Sequence, residues 1–284
     1  MRTPLARTAL LAAAAVLALG ACGSDEGTGD VDPGAFPEGS TMARLAEAGT
    51  VKVGTKFDQP LFGLMGPDGT PEGFDVEIAK IIASELGVPE DKIEWVETVS
   101  SVREDAITNG TVDFVVATYT INDTRKEKVD FAGPYYVAGQ SLLTLKSNTD
   151  IQSVDDVAGK KICTVSGSTP EQNLLENYPE AEVVPFSAYS DCLEPLRNGQ
   201  VDAVSTDNVI LAGFAAENED LELRGELFTQ EPYGIGLKKG DDDFRAFVND
   251  VLEAAYEDGR WAAAWEKTAG TVLPIPEPPA VDRY

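Results

Sequence analysis

Histidine is absent from all 284 residues. That gap excludes Ser-His-Asp and Cys-His catalysis, the HExxH zinc helix and imidazole acid/base chemistry. An enzyme made from this chain would have to work with carboxylates, lysine, tyrosine or serine. No catalytic residue, metal ligand or cofactor is expected. Basic residues are scarce as well: 22 Lys and Arg stand against 49 Asp and Glu, a formal net charge of −27. A surface of that sign repels phosphate backbones, so no nucleic-acid partner is expected. Cysteine occurs only at Cys22, Cys163 and Cys192. Beyond the N-terminal stretch no apolar run reaches membrane-spanning length.

What is present begins with MRTPLARTALLAAAAVLALGAC. Arg2 and Arg7 precede a small apolar run from Ala9 to Leu19, the order of a signal peptide, expected over 1–21. At roughly 11 residues the run is short for a membrane span. Its end, Leu19-Gly20-Ala21-Cys22, resembles the lipobox of bacterial lipoproteins, in which the cysteine takes acyl chains such as palmitate and becomes the first residue. Plain secretory cleavage near Ala21 is the alternative. Residues 22–40, rich in Gly, Asp, Glu and Pro, read as a flexible tether that holds the body at the extracytoplasmic face of the cell membrane. With Cys22 lipidated, Cys163 and Cys192 remain as an even pair in an oxidising compartment. A disulfide is expected there; two buried thiols are the alternative.

From residue 51 short apolar runs alternate with amphipathic ones, the βαβα grammar of α/β folds. Val51 to Thr55 predicts a strand and GPDGT at 66–70 a hairpin turn. Asp75 is placed to cap a helix with Val76, Ala79, Ile82, Ala83 and Leu86 on one stripe. The strands 93–99 and 112–117 flank a helix at 101–108. The grammar repeats with strands 161–166, 182–187 and 201–205 and helices 170–177, 190–197 and 208–217. Residues 241–268 predict one or two helices, with Trp261 and Trp265 as core anchors.

NGTVDFVVAT at 109–118 returns as NGQVDAVSTD at 198–207. In each copy Asn-Gly can stop a helix, since glycine accepts the left-handed conformation, and a strand follows. The copies end at Thr118 and Asp207, near the carboxyl ends of their strands, where open α/β sheets bind ligands. Two facing lobes would aim both residues into one cleft. A common helix stop met twice by chance is the alternative.

GFDVEIAKIIASEL, residues 73–86, resembles the signature segment of the family 3 extracellular solute-binding proteins, the amino-acid receptors of ABC importers. The likeness runs from about Leu45 to Ala269. CTVSGSTPEQNL and TDNVILAGF are closest in wording to the glutamate-binding lipoproteins of high-GC, single-membrane bacteria. The resemblance implies two α/β lobes joined by two hinge strands around a ligand cleft. The crossings are expected near Val137–Gln140 and Gly234–Leu237. Lobe one would take 41–137 and 236–284, with its Pro-rich tail, and lobe two 138–235.

The resemblance also implies a site. Arg125, following Thr118-Tyr-Thr120, would grip the ligand α-carboxylate with its planar fork, helped by Thr120. A surface ion pair with Asp123 is the plainer reading of this arginine. Thr118 would accept from the α-ammonium, and Asp207 would be its acidic partner rather than only a solvent-facing helix cap. Ser168 and Thr169, in a Ser/Thr cap before Pro170, would hold an anion from lobe two. Lys56 stands where receptors for basic amino acids carry an acid, and Gln59 where they place a stacking aromatic. Arg103 matches the arginine of glutamate/aspartate binders, with Ser100 and Tyr189 beside it. Three cations against Asp207 suit a ligand with two carboxylates and one ammonium. The expected function is a substrate-binding lipoprotein that delivers L-glutamate or aspartate to a membrane permease and its ATPase. Glutamine is the alternative within the family; a cyclohexadienyl-type dehydratase and a sensory binding module are the others.

Overall fold

A computed structural model describes residues 31–284. The expected signal peptide, Cys22 and the first part of the tether lie outside the described residues. The remainder of the tether is not free of the body. Pro33–Ala35 forms a short 3-10 turn, and Phe36 meets the edge of Phe247 at 5.6 Å.

Two five-stranded sheets of the same design carry the fold. In the first the spatial order is Ile93–Glu97, Val51–Thr55, Phe114–Val115, Glu231–Lys238 and Val129–Ala138. In the second it is Glu182–Phe186, Lys161–Val165, Ala203–Asp207, Gln140–Leu145 and Leu221–Arg224. The first three strands of each run parallel, and the remaining neighbours pair antiparallel. Parallel neighbours need crossover helices, which is why the sequence alternates its two periodicities. The chain passes between sheets at Gly139, where the first crossing is expected. The second passage is earlier than Gly234–Leu237: Leu221–Arg224 belongs to the second sheet, while Glu231–Lys238 already pairs with Val129–Ala138. The segment expected for lobe two therefore overruns into the first sheet.

The echoed motif has a structural cause. Gly110 and Gly199 both adopt φ +69°, past the ends of Arg103–Thr108 and Leu193–Arg197. The aspartate three places later then clamps the neighbouring strand. Asp113 Oδ2 accepts from the Lys52 amide at 2.8 Å, and Asp202 Oδ2 accepts from the Lys161 amide at 2.8 Å. The backbone answers in both copies, with the Asp113 and Asp202 amides donating to the Lys52 and Lys161 carbonyls.

The C-terminal region is two helices, Asp242–Asp258 and Arg260–Lys267. Trp261 and Trp265 are buried and stacked, and Trp265 lies 5.0 Å from the Tyr136 ring. Together with Phe62, Phe74 and Tyr233 they form an aromatic core under the hinge strands, in which Phe62 meets Phe74 and Tyr233, and Phe74 meets Trp265, edge to face. Cys163 and Cys192 are bonded to each other, joining Lys161–Val165 to the turn before Leu193–Arg197.

Candidate functional site

Eight of the residues singled out from sequence line one enclosed cavity between the lobes: Ser100, Arg103, Thr118 and Thr120 from the first, Ser168, Thr169, Tyr189 and Asp207 from the second. Its volume is about 10 Å³, roughly the room one water molecule needs, so the two lobes lie close together around it. Lys56 and Arg125 adjoin it. Lys56 Nζ donates to Ser100 Oγ at 3.0 Å, and Arg125 Nη1 to the Thr120 carbonyl at 2.7 Å.

Thr118 is set by its neighbours rather than by its own preference. It follows Phe114–Val115 with φ +44°, a strained conformation for a β-branched residue. Its amide donates to Asp75 Oδ2 at 2.7 Å and its hydroxyl to Gln59 Oε1 at 3.0 Å. Arg103 Nη1 donates to the carbonyls of Ala117 at 2.8 Å and Thr118 at 3.3 Å, and its guanidinium lies 4.1 Å from the Tyr119 ring. The Arg125 guanidinium covers the same ring at 5.1 Å, so the two cations share one π-system.

The plainer alternative for Arg125, a surface pair with Asp123, does not hold: its carboxylate neighbour is Glu104 at 3.5 Å. Asp123 begins the helix Asp123–Lys126, which Asn122 caps by accepting from the Arg125 amide. Arg125 also crosses the cleft, donating to the Gly167 carbonyl at 3.1 Å. Asp75 needs correction too. Gly73 is the cap of Phe74–Glu85, and Asp75 is inside its first turn, fully buried, accepting from Thr118 and from Tyr135 Oη at 2.5 Å. Burial outweighs these donors and raises its carboxyl to about 7.

From the second lobe, Ser168 caps Thr169–Asn177, its Oγ accepting from the Glu171 amide at 3.1 Å. Thr169 Oγ1 donates to Glu231 Oε2 at 2.6 Å. Asp207 ends Ala203–Asp207 and precedes Asn208–Glu217 without a side-chain capping bond. It is 3% exposed, so it is no solvent-facing cap. Burial, then the Glu231 carboxylate, raises it to about 7. Lys56 moves the opposite way, down to about 7, through burial and then Arg103.

Charge pairing in the site is incomplete. Among the described residues Lys56 and Arg103 form no ion pair within 4 Å, although they are 3% and 2% exposed. Asp207 Oδ1 and Arg103 Nε are buried without a hydrogen-bond partner. Such groups are costly when left unmatched.

A family model, bacterial extracellular solute-binding proteins, family 3, matches residues 51–271. The chain belongs to that family. GlnH of Bacillus subtilis, an ABC transporter glutamine-binding protein, is 41% identical over 91% of this chain and 94% of its own length. GluB of Corynebacterium glutamicum, a glutamate-binding protein, is 40% identical over 88% of this chain and 86% of its own length. Among solved structures, the receptor for L-cysteine of Neisseria gonorrhoeae superposes with a TM-score of 0.79 at 32% identity, covering 85% of this chain and 99% of that one. The two-lobe α/β fold is therefore that of the amino-acid-binding proteins, and this solute-binding protein works with an ABC permease and its ATPase. No helix among the described residues is long and apolar enough to cross a membrane.

Several residues of the site were not singled out from sequence. Pro170, Thr206 and Ile210 line the cavity, Tyr233 and Glu231 hold residues that do, and Tyr135 holds Asp75, which accepts from the Thr118 amide. Asp75, singled out as a cap, carried a signal of its burial, being a charge flanked by Phe74 and Val76 inside an apolar stripe. The tyrosines act through contacts between distant segments, which periodicity does not report.

Proposed function

We propose that this solute-binding protein captures L-glutamate and delivers it to the permease, held to the membrane by a lipid on Cys22. The carrying observation is the pair of buried cations, Lys56 and Arg103, without an ion pair among the described residues. A ligand side-chain carboxylate would supply the missing charge. Arg125 and Thr120 would take the α-carboxylate, and Asp207 with Thr118 the ammonium. Each charge-assisted hydrogen bond contributes roughly 1.5 to 3 kcal/mol. Four or five of them, less the cost of closure, suit micromolar or tighter binding, about −8 kcal/mol. The ligand leaves chemically unchanged, in keeping with the transport roles of the relatives.

Glutamine is the second reading. It is favoured by the two carbonyls already bonded to Arg103 and by the likeness to GlnH. Calorimetry of the mature chain against glutamate, aspartate and glutamine separates them. Glutamate is expected to bind tightest, and Arg103→Ala to weaken it far more than glutamine. Equal losses for both ligands would remove Arg103 from the side-chain pocket. For the anchor, radiolabelled palmitate should enter the wild type and not Cys22→Ala.

A further inference from the structure

Tyr233 Oη donates to Asp207 Oδ2 at 2.6 Å. The partners belong to different sheets: Tyr233 lies on Glu231–Lys238 of the first, and Asp207 ends Ala203–Asp207 of the second. Both are buried, and the other oxygen of the carboxylate, Oδ1, has no partner among the described residues. One oxygen is thus held and the other left to accept. The charged or titratable groups facing Asp207 are Tyr233 and Glu231 on one strand, Arg125 and Arg103 on two helices, Tyr136 on Val129–Ala138, and Tyr189 before Cys192. Burial and Glu231 favour the protonated acid; the tyrosine bond and the two arginines favour the carboxylate.

We propose that Tyr233 is a positioning residue for recognition of the ligand ammonium: its hydroxyl fixes one oxygen of Asp207, favours the carboxylate form, and presents the other oxygen to the ligand. This rests on Asp207 being the ammonium partner. A tyrosine from the hinge strand of the first lobe thereby governs a binding group of the second.

Tyr233→Phe keeps the ring and removes the donor. Calorimetry with glutamate from about pH 6 to about pH 8.5 reads the consequence. Affinity is expected to fall about tenfold near pH 7, with the acid limb of the affinity profile moved to higher pH. A uniform loss at every pH is what a merely structural tyrosine would give, and it would overturn the proposal, as would no loss. Asp207→Asn distinguishes the two layers. If it leaves glutamate affinity intact, the reading of Asp207 fails. If it weakens binding while Tyr233→Phe leaves the pH profile in place, the role of Tyr233 alone fails. Should Tyr233→Phe not fold, NMR of the wild type decides: the Tyr233 hydroxyl proton is expected to resist exchange with glutamate bound, and free exchange there overturns the proposal.

Discussion

Arg103 and Asp75 hold opposite ends of one peptide group. The carbonyl of Ala117 accepts from the arginine at 2.8 Å, and the amide of Thr118, on the same peptide, donates to the aspartate at 2.7 Å. A buried cation and a buried anion thus fix the plane that aims Thr118 at the cavity. Asp75→Ala would leave the Thr118 amide and Tyr135 hydroxyl without their acceptor. A stability loss of about 1–3 kcal/mol is expected, with weaker glutamate binding, measured by urea unfolding and calorimetry. Asp75→Asn retains an acceptor and should lose less of both. Equal losses in the two variants would show that the charge, not the bond, matters.

The buried charges give the unliganded protein an unusual pH dependence. Asp75 and Asp207 bind protons more tightly folded than unfolded, their values rising from 3.8 to about 7. Their contribution is complete below 3.8 and disappears as pH rises to about 7. Lys56, lowered from 10.5 to about 7, contributes fully above 10.5 and loses that as pH falls to about 7. The three together predict a stability minimum near neutrality. Denaturant titrations should show Asp75→Asn flattening the acid side and Lys56→Met the alkaline side. Unchanged profiles in both variants would refute the assignment.

Asp58 closes the cleft from outside the cavity. Its Oδ2 accepts from the amides of Tyr189 at 2.9 Å and Ser190 at 3.3 Å, across from the first lobe to the second. Asp58→Ala is expected to speed glutamate dissociation roughly tenfold while leaving association nearly unchanged. Stopped-flow fluorescence reads both rates; a slower association with unchanged dissociation would count against a closing role.

The Cys163–Cys192 bond links residues 29 apart. In the chain-entropy account a loop of this size contributes about 3–4 kcal/mol. Replacing both cysteines by alanine should lower the urea midpoint accordingly, without changing the ratio of the affinities for glutamate and glutamine.

Much of this was legible in the sequence because the sheet ends obey local rules. The Asn-Gly stops and the apolar runs after them place Thr118 and Asp207 at equivalent points of two lobes, and both reach one cavity. The second crossing was misplaced because the chain changes sheets in the irregular stretch between Arg224 and Glu231, where no periodic pattern marks the passage. Asp75 was misread for a related reason. A carboxylate in a first helical turn usually faces water, whereas this one is covered by Tyr135 and the Thr118 peptide, from segments far along the chain.

The clamps at Asp113 and Asp202 turn the stretch after them into a ruler. Each fixes its strand against a neighbour at one end, and five positions on, Thr118 and Asp207 stand at the cavity. A strand turns its side chains over with every residue. One residue inserted after either clamp would therefore turn over the strand side chains that follow, the buried Phe114 and Val115 or Ala203 and Val204 among them, and displace the cavity residue while leaving composition and charge almost untouched. Length here is a binding determinant in its own right, written twice in the chain and measured from an aspartate each time.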